Sequence, residues 1–179
     1  MATKTISTIK VSTYMALSAN GMIANEKKVP NWLSKEYAEG FIEICEKAKA
    51  VVMGKITYDI LNPEQLPLKK EGTIIVVTND VDEKSANPLV TFTDKKPVEI
   101  ISMLTDKGYK EVVIIGGATT VSEFMEAGLI EDIYLIVEPF LFANGLTLFK
   151  NSNFEYKLSL IEVKKLNNDT LKLHYSYSK

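Results

Sequence analysis

The sequence predicts an α/β protein whose central sheet is parallel in the middle and ends in antiparallel strands. Short continuous apolar runs such as "AVVMG" and "TIIVVT" alternate with segments of helical period, which is typical of strands covered on both faces. The tail instead alternates apolar and polar residues on either side of "NND", which predicts a hairpin half exposed to water. The chain has 179 residues and no repeat or Gly/Ser linker, so we expect a single domain over residues 1–179.

The first elements follow from local pattern. Residues 8–18 read as a strand. Residues 34–49 predict an amphipathic helix because Tyr37, Phe41, Ile44 and Ala48 recur at spacings of three and four. Ser34 is placed to cap this helix.

The later elements are predicted in the same way. Pro97 marks the start of a helix that stops before Gly108, where proline and glycine have their preferred positions. The remaining strands are expected at residues 50–54, 73–78, 111–116, 132–140, 156–166 and 170–178, with a further helix at residues 119–128.

Composition excludes several classes of function. The net charge of −2 gives no reason to expect a nucleic-acid partner. The apolar runs are too short to cross a bilayer, and the first ten residues lack the apolar core of a signal peptide. One cysteine and one histidine argue against a disulfide framework and against a zinc site, so we expect no metal and a cytoplasmic location. All 21 basic residues are lysine, so this chain cannot clamp a phosphate or carboxylate with a guanidinium.

A buried strand ends in two glycines, in "VVIIGGATTVSEF". Strand ends of this kind bind ligands in open α/β sheets, since the next helix offers free N–H groups and its positive dipole end. Glycine would let a diphosphate approach the backbone, and Thr119 and Thr120 would add hydroxyls. A tight turn without a ligand explains Gly116 and Gly117 equally well.

Two other strand ends carry similar chemistry. "VVMGKITYDIL" breaks at Gly54 and continues with a cation, a hydroxyl and an aromatic ring, and "VVTND" ends in small polar residues. Three such ends favour an extended ligand such as a dinucleotide.

Nearly the whole chain resembles the dihydrofolate reductase-like superfamily. "ALSANGMIANEKKVPNWL" is similar to the first strand and the loop over the active site, and "VVMGKITYDIL" to the family's Met-Gly-Arg/Lys-x-Thr-Tyr/Trp motif. "VIIGGATTVSEFMEAGLIEDIYLIVEPFLFANGLTLF" resembles the Gly-Gly motif and the segments after it, most closely in the riboflavin-biosynthesis reductase (RibD C-terminal) domain branch. The resemblance implies a three-layer α/β/α fold with a mixed, mostly parallel sheet.

The resemblance also implies a nicotinamide cofactor, NADPH, and positions that hold it. Ala16 and Ile23 would hold the nicotinamide, and Lys55 would face the 2′-phosphate, although alone it is also what a solvated loop lysine looks like. The other implied cofactor-binding residues are Gly54, Thr57, Val77, Thr78, Asn79, Ile115, Gly116, Gly117, Ala118, Thr119 and Thr120.

Glu36 falls where dihydrofolate reductases keep their single active-site acid. A semi-buried carboxyl there could supply or relay the proton that nitrogen needs after hydride transfer, with burial raising its pKa. The other interpretation is a first-turn acid that complements the helix dipole. Trp32 would wall the substrate pocket or act as a hydrophobic staple. Tyr58 is assigned to the substrate with them, and His174 is expected at the surface.

The resemblance favours a stand-alone NADPH-dependent reductase of a nitrogen heterocycle or ribosylamino-pyrimidine, like 5-amino-6-(5-phosphoribosylamino)uracil reductase. Dihydrofolate reduction is the first alternative, although the chain has no Arg and Ile136 stands where that enzyme usually has Thr. The second is a non-catalytic nucleotide-binding protein on the same fold. Riboflavin-type domains commonly pair, so we expect a homodimer, with "LKLHYSYS" as the candidate edge strand.

Overall fold

The structure is a computed structural model that describes residues 9–61, 63–150 and 152–177. Its elements in chain order are β1 (Lys10–Ser18), β2 (Met22–Asn25), α1 (Lys35–Ala48), β3 (Ala50–Gly54), α2 (Lys55–Ile60), a 3₁₀ turn (Pro63–Gln65), β4 (Thr73–Val77), β5 (Val90–Thr93), α3 (Pro97–Asp106), β6 (Glu111–Ile114), α4 (Ala118–Glu126), β7 (Asp132–Glu138), β8 (Gly145–Thr147), β9 (Ser159–Lys165) and β10 (Leu171–Ser176).

The central sheet has eight strands in the order β5-β4-β3-β6-β1-β7-β10-β9. The strands from β5 to β7 run parallel, whereas β10 runs antiparallel to both β7 and β9. The predicted mixed sheet and C-terminal hairpin are therefore confirmed. One detail was wrong: β10, the "LKLHYSYS" segment, lies inside the sheet, and β9 forms the edge.

A hydrophobic core lies on each face of the sheet. Cys45 and Ala48 of α1 pack on one face, and Ile100 of α3 and Phe124 of α4 pack on the other. Buried β-strands between two helical layers bury apolar side chains on both faces, which explains the continuous apolar runs in β3 and β4. The three-layer arrangement is confirmed.

Helix α1 begins where its sequence predicts. The Ser34 side chain accepts a hydrogen bond from the Tyr37 amide at 3.1 Å, which satisfies one of the free N–H groups of the first turn. The helix ends with Lys49 in the left-handed conformation, at φ 58°. Because α1 follows β1 and returns to β3, its N terminus lies at the carboxyl ends of the strands.

Several short elements escape prediction from the sequence. "KITYDI" forms helix α2 directly after Gly54, and β2, β5 and β8 are strands of three or four residues. The strands β2 and β8 pair with each other in a separate two-stranded sheet. This pairing fixes the segment that comes after β1, which the resemblance assigns to the active-site loop. None of the helices in the described ranges has the length and apolar character needed to span a membrane.

Candidate active site

The two glycine-containing strand ends meet side by side. The Gly54 amide donates a hydrogen bond to the Gly116 carbonyl at 2.8 Å, which joins the ends of β3 and β6. A Cβ at Gly54 would lie 2.7 Å from the Thr120 hydroxyl, and one at Gly116 would lie 3.3 Å from the Thr57 hydroxyl. Gly116 also has φ 120°, a conformation that favours glycine. The protein's own packing therefore requires these two glycines.

Gly117 has a different role. Its φ of −76° suits any residue, and a Cβ there would meet only the Thr57 hydroxyl, at 3.4 Å, within 4 Å. It precedes α4 with no side-chain cap, and the peptide that joins it to Gly116 is cis. The space above Gly117 is open and faces the free amides of a helix N terminus, which fits an anionic diphosphate.

The two threonines of α4 face different surroundings. Thr119 is exposed beside Gly117, whereas Thr120 is 4% exposed and packs against Gly54. Of the two hydroxyls, Thr119 is the one open to a ligand. Ala118 and Gly117 are partly exposed, and Ile115 is buried beneath them. Of the residues predicted to bind the cofactor at this turn, Gly117, Ala118 and Thr119 are accessible to a ligand. Ile115 and Thr120 are buried and support the turn.

Lys55, the first residue of α2 after Gly54, has two acidic partners. Its ammonium is 2.5 Å from Asp59 and 3.3 Å from Glu83. The hydrogen bond with Asp59, reinforced by Glu83, raises the pKa of the Lys55 ammonium, so it stays charged. A 2′-phosphate at this place would compete with both carboxylates for one lysine.

The residues predicted to lie near the adenosine are at the end of β4 and directly after it. Val77 and Thr78 are partly buried and Asn79 is exposed. Thr78 closes the turn: its amide donates to the Thr93 carbonyl at 2.9 Å, and its hydroxyl accepts from the Asp80 amide at 3.1 Å. The turn is therefore held by two hydrogen bonds, and it presents the Asn79 side chain to solvent.

Tyr58 belongs to this side of the molecule. Its hydroxyl lies 3.0 Å from the Ser85 hydroxyl, its ring packs edge-on against Phe92, and the Lys55 ammonium lies 5.8 Å from the ring centre. The structure places Tyr58 beside Lys55, Ser85 and Phe92. It does not bring Tyr58 together with Trp32 and Glu36, the other two predicted substrate residues.

The two residues predicted to hold the nicotinamide lie in β1 and β2. Ala16 in β1 is buried and pairs with Ile136 in β7. Ile23 is partly buried in β2, against the core on the α3 and α4 face. Two residues further along β2, the Asn25 side-chain oxygen is buried and has no partner within the described ranges. Such an atom is expected where a ligand or water completes a site.

Glu36 lies in the first turn of α1 and accepts a hydrogen bond from the Asn167 side chain at 2.8 Å. That hydrogen bond, together with one from the backbone amide of Glu36, lowers the pKa of the Glu36 carboxyl. The expectation that burial raises this pKa was wrong: the group is partly open to water and has a donor that favours its ionised form. Glu36 is thus placed to act as a carboxylate.

A second carboxylate close by was missed from the sequence. Glu138, at the end of β7, is 1% exposed. One of its oxygens accepts from the Ser34 amide at 2.9 Å and from the Ser34 hydroxyl at 2.7 Å, and the other accepts from the Thr170 hydroxyl at 2.8 Å. The available signal was an acidic residue that ends an apolar strand immediately before Pro139.

These contacts close a ring around the N terminus of α1. Asn167 donates to Glu36 through its amide nitrogen, and its side-chain oxygen accepts from the Thr170 amide at 2.9 Å. Thr170 donates to Glu138, and Glu138 binds Ser34, two residues before Glu36. The ring joins α1, β7 and the turn between β9 and β10.

A cavity of about 450 Å³ opens beside this ring. Trp32 is 5% exposed and forms one wall, with its ring edge-on to Phe142 at 5.2 Å and to Phe140 at 6.3 Å. Trp32 therefore serves both as a wall and as packing for the segment after β7. Other lining residues are Asn31, Ser34, Glu138, Asn167, Asn168 and Asp169.

His174 was expected at the surface, and this was wrong. Its ring stacks on Tyr134 with the ring centres 4.3 Å apart, and its Nε2 contacts the Asp132 carboxylate. This cluster lies at the amino ends of β1 and β7, away from the glycine turn.

This sheet order, with a glycine turn after β6 and a carboxylate at the start of α1, defines a dihydrofolate reductase-like fold. The chain belongs to the RibD C-terminal domain family, which matches residues 9–172.

Individual relatives match nearly the whole chain in sequence or in fold. The chain is 28% identical to the uncharacterised protein YwjB of Bacillus subtilis (strain 168), over 93% of this chain and 97% of YwjB. It superposes with a TM-score of 0.80 on a Shewanella sp. PV-4 protein assigned to riboflavin biosynthesis, at 22% identity, covering 96% of this chain and 100% of that one. It also superposes on a Thermotoga maritima diaminohydroxyphosphoribosylaminopyrimidine deaminase/5-amino-6-(5-phosphoribosylamino)uracil reductase, with a TM-score of 0.79, at 16% identity, covering 95% of this chain and 57% of that one.

Proposed function

We propose that this protein is an NADPH-dependent reductase that transfers a hydride to a nitrogen heterocycle or a ribosylamino-pyrimidine. The main observation behind the proposal is that an open glycine turn at the N terminus of α4 and an ionised carboxylate at the N terminus of α1 occur at the same edge of the sheet. These two features lie at the carboxyl ends of the same parallel sheet, where ligands bind in open α/β folds. The family membership and the reductase name of one structural relative support it.

The residues present fit the cofactor. The amides after Gly117 would hold the diphosphate, Thr119 would add a hydroxyl, and Lys55 would meet the 2′-phosphate. Ala16 and Ile23 would hold the nicotinamide through their backbones. When bound, the cofactor supplies the hydride.

The protein's own part is to position the substrate and manage a proton. Reducing a C=N bond adds a hydride to carbon and leaves nitrogen needing a proton. Glu36 is ionised, so it would accept a hydrogen bond from a substrate N–H and orient a water that relays a proton from the solvent to the nitrogen. Asn167 donates to one Glu36 oxygen, and the substrate would meet the other.

The first test separates a catalyst from a nucleotide-binding protein. NADPH binding is measured by fluorescence titration, and turnover by the loss of NADPH absorbance with 5-amino-6-(5-phosphoribosylamino)uracil, its dephosphorylated form, or dihydrofolate. We expect Glu36→Gln to keep NADPH affinity within about twofold and to lower turnover by about 10²-fold or more, the usual contribution of a proton-handling group.

The matched control is Glu39→Gln, one helical turn further along α1, where the carboxylate pairs only with exposed Lys35 in the described structure. This variant should keep normal turnover. Absence of NADPH binding would contradict the proposal. NADPH binding without turnover of any of the three substrates would favour the non-catalytic alternative, and turnover of dihydrofolate alone would favour dihydrofolate reduction.

A further inference from the structure

We propose that the cavity beside Trp32 is a substrate subsite for an uncharged, hydroxyl-bearing group, such as an unphosphorylated ribosyl chain, and that it rejects phosphate. This inference rests on the proposed function, because it assigns the part of the substrate that lies next to Glu36. It names a substrate class that differs from the phosphoribosyl compound in the name of the Thermotoga maritima relative.

The position of the cavity places it next to the reacting centre. Glu138, which lines it, lies two residues after Ile136, and Ile136 pairs with Ala16. Side chains two residues apart on a strand point to the same face, so Glu138 and Ile136 share the α1 side of the sheet. Asn167, which also lines the cavity, donates to Glu36. A substrate whose ring meets Glu36 would therefore extend a substituent into the cavity.

The anion position at this helix N terminus is already filled. A helix start normally attracts phosphate through its free amides and dipole. Here the Ser34 amide and hydroxyl both donate to the Glu138 carboxylate, and the Ser34 hydroxyl in turn accepts from the Tyr37 amide. The positive end of the helix dipole and the Ser34 donors, which could hold a phosphate, therefore already bind the protein's own Glu138 carboxylate.

The remaining lining also disfavours an anion. Asp169 adds a second carboxylate at the rim, and no lysine is among the lining residues that the structure describes. The chain contains no arginine that could reach in from elsewhere. The neighbouring Lys35 is directed to Glu39, at 3.2 Å. A phosphate dianion would face like charges without a cation to offset them.

The same lining suits a hydroxylated group. Asn31 and Asn168 are exposed and offer amide donors and acceptors, and the Glu138 and Asp169 carboxylates accept hydrogen bonds from hydroxyls. Trp32 supplies an apolar wall against which a sugar face can pack. The volume of about 450 Å³ lies within the usual range for small-molecule sites.

The experiment uses the fact that Trp32 is the only tryptophan of the chain. Quenching of its fluorescence is titrated on the NADPH-free protein with 5-amino-6-ribosylaminouracil and with its 5′-phosphate, and kcat/KM is measured for both with NADPH. We expect saturable quenching by the unphosphorylated compound and a preference for it of about tenfold or more in both readouts, as for an unpaired charge placed beside a like charge. The preference should shrink at about 1 M salt, where screening acts within about 3 Å.

Variants test the cause. Asp169→Lys should reduce the preference several-fold by giving the phosphate a cation, while Asp106→Asn, a charge change at the exposed end of α3, should leave it unchanged. Glu138→Gln should reduce it further. If Glu138→Gln does not fold, the Asp169→Lys result alone tests the charge explanation, because Asp169 lies on an exposed turn where a substitution leaves the fold intact.

The outcomes separate this inference from the proposed function. Equal or tighter binding of the phosphorylated compound, or no quenching by either compound, overturns the subsite while normal NADPH binding leaves the reductase proposal standing. Loss of the preference in Asp106→Asn would overturn the local charge explanation. Absence of NADPH binding would count against the proposed function alone, because the quenching readout needs no cofactor.

Discussion

The most informative residue of the glycine turn is Gly117, because its backbone conformation does not require glycine. At φ −76° a methyl group is tolerated, and it would meet only the Thr57 hydroxyl, at 3.4 Å. That methyl would point into the space assigned to the diphosphate. Under the proposed function, glycine at this position leaves room for the diphosphate.

This difference gives a prediction. Gly117→Ala should change the free energy of unfolding by less than about 1 kcal/mol and weaken NADPH binding by about tenfold, a loss of about 1.4 kcal/mol. Gly116→Ala should instead lower the melting temperature, since φ 120° strains any other residue. Fluorescence titration and thermal unfolding monitored by circular dichroism measure both effects. Unchanged NADPH affinity in folded Gly117→Ala would show that the diphosphate lies elsewhere.

At the scale of elements, the sequence predicts the helices and strands that have a regular hydrophobic pattern, and it misses the shortest strands. The periodicity of α1 and the continuous apolar runs of β3 and β4 come from burial on defined faces, so they appear in the sequence. The strands β2, β5 and β8 have three or four residues, too few for a period to show, and they exist because of their partners.

The candidate site likewise contains residues that local sequence motifs predict and contacts that they do not. Gly54, Gly116 and Gly117 are recognisable from local motifs at strand ends. The ring around Glu36 depends on residues far apart in sequence, with Asn167 131 positions from Glu36 and Thr170 32 positions from Glu138. No local pattern encodes such contacts, and the direction of the Glu36 pKa shift depends on one of them.

Asp132 ties three strands together at the opposite end of the sheet. Its carboxylate is 2.9 Å from the Lys10 ammonium and also contacts the His174 ring. Burial raises the pKa of the Asp132 carboxyl, but the hydrogen bonds from Lys10 and His174 outweigh it, and the net pKa is lowered. A lowered folded-state pKa stabilises the protein above the unfolded-state pKa, about 3.9, and this contribution is lost as pH falls through the folded-state value.

Asp132→Asn should therefore destabilise the protein at neutral pH by about 1–2 kcal/mol, or a melting temperature lower by about 2–8 °C. The difference in stability between the variant and the wild type should become smaller as the pH is lowered below about 4. Calorimetry across this pH range measures it, with Asp106→Asn as the control for removing an exposed carboxylate. A gap that stays constant down to pH of about 2 would mean that the carboxylate's charge contributes nothing.

At the scale of the whole molecule, the edge strand β9 presents apolar side chains to solvent. All of its residues are exposed, including Leu160, Ile161 and Val163 at 53%, 57% and 56%. An exposed edge with unpaired backbone groups is a surface for strand pairing. If two copies pair antiparallel about a twofold axis at Val163, Glu162 of one copy lies opposite Lys164 of the other, so the charges are complementary.

We propose that the protein is a homodimer joined through β9. Sedimentation at micromolar concentration should give a species of twice the 20.0 kDa chain mass. Val163→Lys should yield the single chain, since a lysine at the axis meets its own copy and lysine on an edge blocks pairing. Val98→Lys, at an equally exposed valine on α3, should stay dimeric. Because β9 is the outermost strand, the monomeric variant should still bind NADPH at the glycine turn. A wild-type species of 20.0 kDa would show that the protein is a monomer. A dimer that persists in Val163→Lys would show that the two copies meet at a surface other than β9.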